Sequence, residues 1–204
     1  MAIPTSDLPG HRGLQDRVHG ALDICIESRS VDFKESAPWS ALQHKIIRTT
    51  LAMANLRDGG IIIIGASESG DHWERTGISD EDLATYEVDE VIDAIHRFAS
   101  PSVDVRLVLV PYRDSGIFLT LQVFEFADTP VVCRRDGPSL KQGAVYVRPP
   151  GVARTTEVRS ADQMHDLLEL AAEKRARRIL ETARRLGLEP MSAKKPFDDE
   201  LGGL

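Results

Sequence analysis

Hydrophobic and polar positions along the chain change period several times, and each change predicts an element. Apolar Leu14, Val18, Leu22 and Cys25 recur at helical spacing, which predicts a helix from about Leu14 to Ile26. Val31 and Phe33 then alternate with Asp32 and Lys34, the period of a short half-buried strand that Pro38 stops. Leu42, Ile46, Ile47, Thr50, Met53 and Ala54 trace one face of a helix predicted from about Ala41 to Leu56, with Ser40 as its cap. After Gly59-Gly60 comes Ile61-Ile62-Ile63-Ile64. Four consecutive isoleucines leave no polar face, so this strand must be covered on both sides. The rest of the chain is organised around it, and the paired glycines give the backbone freedom to pass from helix to strand at once.

Downstream, Ser67 to Asp71 reads as a polar turn and Trp73 to Gly77 as a short return strand. Ser79-Asp80-Glu81-Asp82 is a helix start, with acids near the positive helix end. Val88, Val91, Ile92, Ile95 and Phe98 continue an amphipathic helix that Pro101 ends. Two strands, about Val103 to Tyr112 and Gly116 to Phe126, flank Arg113-Asp114-Ser115-Gly116 as a hairpin. Shorter strands are expected at Val131 to Arg134 and Ala144 to Arg148. From Ser160 the spacing of Met164, Leu167, Leu168, Ala171, Ala172, Ile179, Leu180 and Leu186 predicts one long helix, Ala161 to Leu186, stopped by Gly187. The organisation is therefore a flexible start over 1–12, one α+β domain over 13–158, a C-terminal helix over 159–188 and a disordered tail over 189–204.

Composition narrows the function classes. Hydrophobic content of 42% supports a core, and aromatics at 5% make that core mainly aliphatic. A net charge of −7 counts against a protein coated for nucleic acid, and leaves room only for local basic patches. Cys25 and Cys133 stand alone, so neither a zinc site nor a disulfide framework is readable. His44, His72 and His96 are scattered and read as surface or satisfied core positions. The longest apolar run is far short of a membrane span, and the first ten residues carry no signal-peptide pattern. A cytoplasmic protein without membrane contact is the expectation.

Three pieces in order carry a resemblance. They are Glu27-Ser28 followed by Asp32-Phe33-Lys34, then Ala52-Met53-Ala54-Asn55 with Gly59-Gly60 and the isoleucine strand to Gly65, then Gly143-Ala144-Val145-Tyr146-Val147-Arg148. Together they resemble the Schlafen AlbA-like domain, over roughly Leu22 to Glu157. The resemblance implies an α+β fold, with a mixed or antiparallel sheet, packing helices and here a long C-terminal helix. It also implies a link to nucleic acid, RNA or DNA. Some relatives look like metal-dependent endoribonucleases acting on structured RNA such as tRNA. Their working acids map onto Glu27 and Asp32. A third acid follows the isoleucine strand, where Glu68 and Asp71 are available and Glu68 lies closer to the strand end. No phosphate loop of the GxxxxGK[ST] kind occurs, so no ATP site is readable.

That set is chemically coherent. Carboxylates bind hard divalent ions through oxygen, and Mg²⁺ or Mn²⁺ held by Glu27, Asp32 and Glu68 would activate water for phosphodiester cleavage. Lys34, on the strand face of Asp32, would neutralise a phosphate, and Arg134, Arg135 and Arg148 would hold a nucleic-acid backbone. The rival expectation is a non-catalytic DNA- or RNA-binding regulatory module, or a dimeric interaction module. In the basic second half of the long helix, Glu169, Glu173 and Glu181 interleave with the arginines. Its first role is read as interaction, on the domain or on a second copy in a homodimer, and nucleic-acid contact comes second.

Overall fold

The structure is a computed structural model and describes residues 3–6, 12–70 and 72–188. A four-stranded mixed sheet forms its centre. Strands β1 (Val31–Lys34) and β2 (Gly60–Ile64) run parallel, and β2 continues antiparallel to β7 (Ile117–Val123). The far edge is β6 (Val105–Pro111), the other arm of the predicted hairpin. Every residue of β2 is buried, and its isoleucines divide between two cores. Ile61 and Ile63 join Phe33, Val108, Val110 and Phe118 under helix α1 (Arg12–Ile24). Ile62 and Ile64 face helices α2 (Trp39–Ala54) and α4 (Val88–Phe98) on the opposite side. The unbroken apolar run is thus a strand buried on both faces, as its composition requires.

The turn between α2 and β2 shows why glycine is needed there. Gly59 has φ +62°, and a Cβ added to it would lie 2.0 Å from the Val123 carbonyl oxygen. Only a residue without a side chain allows the helix to end this close to β7. Asn55 caps α2 and is itself buried. Its amide nitrogen donates to the carbonyls of Val131 (2.9 Å) and Tyr146 (3.0 Å), and its oxygen accepts from the Val131 N–H (2.7 Å).

Smaller ribbons surround the sheet. They are the hairpin β3 (Ala66–Ser69) with β4 (His72–Arg75), the pair β5 (Ala99–Ser100) with β8 (Val132–Cys133), and the pair β9 (Tyr146–Val147) with β10 (Thr156–Glu157). A single turn α3 (Asp80–Leu83) precedes α4, and α5 (Ala161–Arg185) closes the chain. Ser160 caps α5, accepting from the Gln163 N–H at 3.2 Å. Leu167 and Leu170 of α5 are buried in the α2 side of the core. No helix of the described residues is long and apolar enough to cross a membrane.

Several expectations are corrected. Ser67 to Ser69, read as a turn, is strand, because Ala66 to Ser69 pairs with the return strand; Asp71 lies outside the described residues. Ser40 does not cap α2: the helix starts at Trp39, and Thr85 Oγ1 takes the Trp39 N–H at 2.8 Å from a distant loop. The acidic helix start at Ser79 is genuine, with Ser79 accepting from Asp82 N–H, but it ends after one turn. The N-terminal segment is not loose where it is described. Thr5 bridges to Leu109, and hydrogen bonds of 2.9 Å from Ser6 N–H to Leu109 and from Leu109 N–H to Pro4 extend the β6 edge. The tail expected over 189–204 lies outside the described residues.

Candidate functional site

Period two puts Asp32 and Lys34 of β1 on one sheet face, and Phe33 on the other in the α1 core. Arg148, just beyond β9, reaches under this face. Its Nη1 donates to Asp32 Oδ1 at 2.7 Å, and Lys34 Nζ donates to Asp32 Oδ2 at 2.5 Å. Arg148 Nη2 also donates to the Ser28 carbonyl at 2.9 Å. Arg148 is 0% exposed and Asp32 5% exposed, so this is an interior ion pair. Glu27 joins from the turn before β1, where its Oε1 accepts the Phe33 N–H at 2.9 Å. Burial foremost, and then the negative charge of Asp32, push the Glu27 carboxyl above its ordinary range, against the pull of the Phe33 N–H, Lys34 and Arg148.

Glu68 is placed differently. It is exposed on β3 and lines a small cavity with Phe33, Lys34, Glu35, Leu42, Lys45 and Trp73. Lys34 touches both places, pairing with Asp32 while lining the Glu68 cavity. The structure therefore gathers Glu27, Asp32, Lys34 and Arg148 and leaves Glu68 beside them. Both Asp32 oxygens are already taken by cationic side chains. Among the described residues, no group of three His, Cys, Asp or Glu side chains is arranged to hold a metal ion. As placed, Glu27 and Asp32 lie together and Glu68 stands apart from them, so the three carboxylates do not converge on one point. Arg148 is fully enclosed here, with its guanidinium committed to Asp32 and the Ser28 carbonyl.

Arg134 and Arg135 are exposed, in the loop after β8. Arg134 N–H donates to the Phe98 carbonyl at 2.7 Å, and the Arg135 guanidinium lies 5.4 Å over the Phe98 ring. That loop continues into the wall of a groove of 490 Å³ that sequence reasoning missed. The cations of the groove are Arg48 from α2, Lys141, Arg154 and Arg159. Glu157 is the one acid lining it, 4.0 Å from Lys141. Arg48 is braced by donation to the Thr155 carbonyl at 3.2 Å and by stacking 5.3 Å over Tyr146. Three buried polar atoms of the wall, Arg48 Nε, Thr155 Oγ1 and Thr156 Oγ1, have no hydrogen-bond partner among the described residues. The four bases are spread over more than a hundred positions of sequence, so no local charge run announces them.

The motif pieces of the sequence meet here. Asn55 holds Tyr146, and Asp32 holds Arg148, so the first and second pieces both bind the third. The family model described as Schlafen, AlbA_2 matches residues 27–152. Among solved structures, the chain is similar to the DIP2311 protein of Corynebacterium diphtheriae, with 16% identity and a TM-score of 0.47. That likeness covers 76% of this chain and only 29% of the DIP2311 protein's length. It is also similar to the N-terminal domain of an ATP-dependent DNA helicase RecG-related protein of Nitrosomonas europaea, with 20% identity and a TM-score of 0.48, covering 72% of this chain and 95% of that domain. No curated protein matches the chain. With more than half of its residues inside the matched span, the chain belongs to the Schlafen AlbA_2 family.

Proposed function

We propose that this chain binds nucleic acid, with the phosphate backbone lying in the groove of Arg48, Lys141, Arg154 and Arg159. One observation carries the reading: in a chain of net charge −7, four cations line one groove beside a single acid. Guanidinium forks match phosphate oxygens in geometry and charge. Lys45 stands one helical turn from Arg48 on α2, in a cavity that it shares with Lys34 and the acids Glu35 and Glu68. Membership of the Schlafen AlbA_2 family supports the same substrate class.

The test is fluorescence anisotropy with labelled tRNA and with duplex DNA, across a salt series and with Mn²⁺ or EDTA present. Four phosphate contacts predict a fall in affinity on the order of 10²-fold between 50 and 200 mM salt. Arg154→Ala with Arg159→Ala should flatten that slope by about two contacts. Salt-independent or absent binding would sink the reading. Metal-dependent cutting of the tRNA, lost on chelation, would replace a binding module with the endoribonuclease.

A further inference from the structure

Helix α5 is held to the domain by two buried leucines and three ion pairs. Leu167 and Leu170 are buried, Glu173 pairs with Arg57 at 2.7 Å, and Lys174 pairs with Glu125 at 2.6 Å. Arg178 pairs with Asp128. A second apolar stripe, Leu168, Ala172, Ala176, Ile179, Ala183 and Leu186, runs along the helix at spacings of three and four, and its Ile179, Ala183 and Leu186 line a groove beside Asp128 and Thr129. Its large members are well exposed: Leu168 56%, Ile179 62% and Leu186 69%. Such a stripe running the length of a helix is the seam by which helices pair.

Charge identifies the occupant. Before residue 174 the helix carries Asp162, Asp166, Glu169 and Glu173 and no lysine or arginine. From Lys174 onward it carries six bases and the single acid Glu181. The boundary between the halves falls at the middle of the helix Ala161–Arg185. A nucleic acid laid along α5 would meet the acidic half and gain nothing from the apolar seam. A second α5 running antiparallel sets the acidic half against the basic half and buries that seam. A two-fold axis between Glu173 and Lys174 sets Leu168 against Ile179 across the seam. Self-complementary contacts of this kind are what closed two-fold assemblies need.

We propose that α5 is the interface between two copies of this chain, paired antiparallel about its own midpoint. The helix is about 37 Å long, enough for several heptad contacts on each copy. The inference stands apart from the groove, since Arg48, Lys141, Arg154 and Arg159 line a different surface.

Sedimentation of the full chain at tens of micromolar, without nucleic acid, should give the dimer mass. Ile179→Asp, at an exposed position that the monomer does not need for folding, should weaken association at least tenfold while leaving the helical circular-dichroism signal intact. The orientation is tested by cysteine capture. Cys25 and Cys133 are buried, so wild type supplies the silent background. Oxidation of a mixture of Leu168→Cys and Ile179→Cys chains should give a cross-linked pair, and Leu168→Cys alone should not cross-link. A monomer at every concentration, a dimer untouched by Ile179→Asp, self-capture of Leu168→Cys, or association only with added RNA would each overturn the proposal. Arg154→Ala with Arg159→Ala should leave the dimer mass unchanged, so a failed groove and a failed interface give different results.

Discussion

Two clusters of charge lie close together in this chain and have opposite fates. At β1, Asp32 and Arg148 are drawn into the interior and half-buried Lys34 joins them, so that Asp32 is satisfied by both cations. In the neighbouring groove, Lys141, Arg154 and Arg159 stay at the surface with one acid among them. Arg148 and Arg154 are six residues apart and chemically identical, so residue type does not separate the two roles. Environment does. A buried pair has paid its desolvation and is committed to its partner, whereas a cation in water retains a free choice of anion. Motif residues of a catalytic kind can therefore hold a fold together, while surface arginines of no motif stay free to meet an anion.

The largest test of that contrast is Arg148→Met. It leaves Asp32 with Lys34 alone in an interior site, and the chain should lose about 3–5 kcal/mol of stability in urea unfolding. Adding Asp32→Leu removes the stranded charge and should return most of the loss. Should Arg148→Met leave stability intact and abolish nucleic-acid binding instead, the division between interior and surface roles would be reversed.

Next in size is Asn55→Ala. Three hydrogen bonds disappear, and the Val131 amide and the Val131 and Tyr146 carbonyls lose their partner in a buried place. A loss of about 2–4 kcal/mol is expected, read as a lowered unfolding midpoint with an unchanged slope. The groove lies beside Tyr146, so the binding affinity of the still-folded protein should fall far less than its stability. A larger effect on binding would mark Asn55 as part of the interface.

Arg154→Ala and Arg159→Ala should behave in the opposite sense. Stability should move by no more than about 0.5 kcal/mol each, as for exposed substitutions generally. Affinity should drop at low salt and converge with wild type as salt rises, because screening removes what the substitution removes.

How much of this could be read from the residues alone follows the same divide. The isoleucine strand, the Arg113–Gly116 hairpin and the long helix were legible because local pattern determines them: burial on both faces, a turn signal, and helical spacing over seven turns. The neighbouring Ser67–Ser69 misled because a polar, exposed strand in a two-stranded ribbon has no apolar alternation to show. Ser40 misled because Thr85, in a distant loop, takes the first helical N–H. At the site, the proximity of Glu27, Asp32 and Lys34 was readable from β1 itself. That Arg148 would neutralise Asp32 was not, since the pair spans 116 positions and depends on how β9 packs on α2. The groove was invisible for the same reason, being assembled from α2, the loop before β9 and the segment around β10.

The smallest effect concerns Glu27, and it bears on chemistry. Burial and the charge of Asp32 raise its carboxyl above the ordinary range. The folded state thus keeps this proton over a range of pH in which the unfolded chain has released it. The resulting stability is fully present below the unfolded pKa and is lost as pH rises through the folded value. Glu27→Gln does not titrate, and its amide oxygen still accepts the Phe33 N–H. The variant should therefore match wild type near pH 4 and become the more stable of the two by pH 7, with a midpoint shift smaller than that of Asn55→Ala. Equal urea midpoints at pH 4 followed by a less stable variant at pH 7 would mean the opposite: a carboxylate held ionised by Lys34 and Arg148. Such a group is ready to ligate a cation, whereas a carboxyl that resists ionisation must first give up its proton. The sign of this one difference therefore separates an interior brace from an acid poised for metal chemistry.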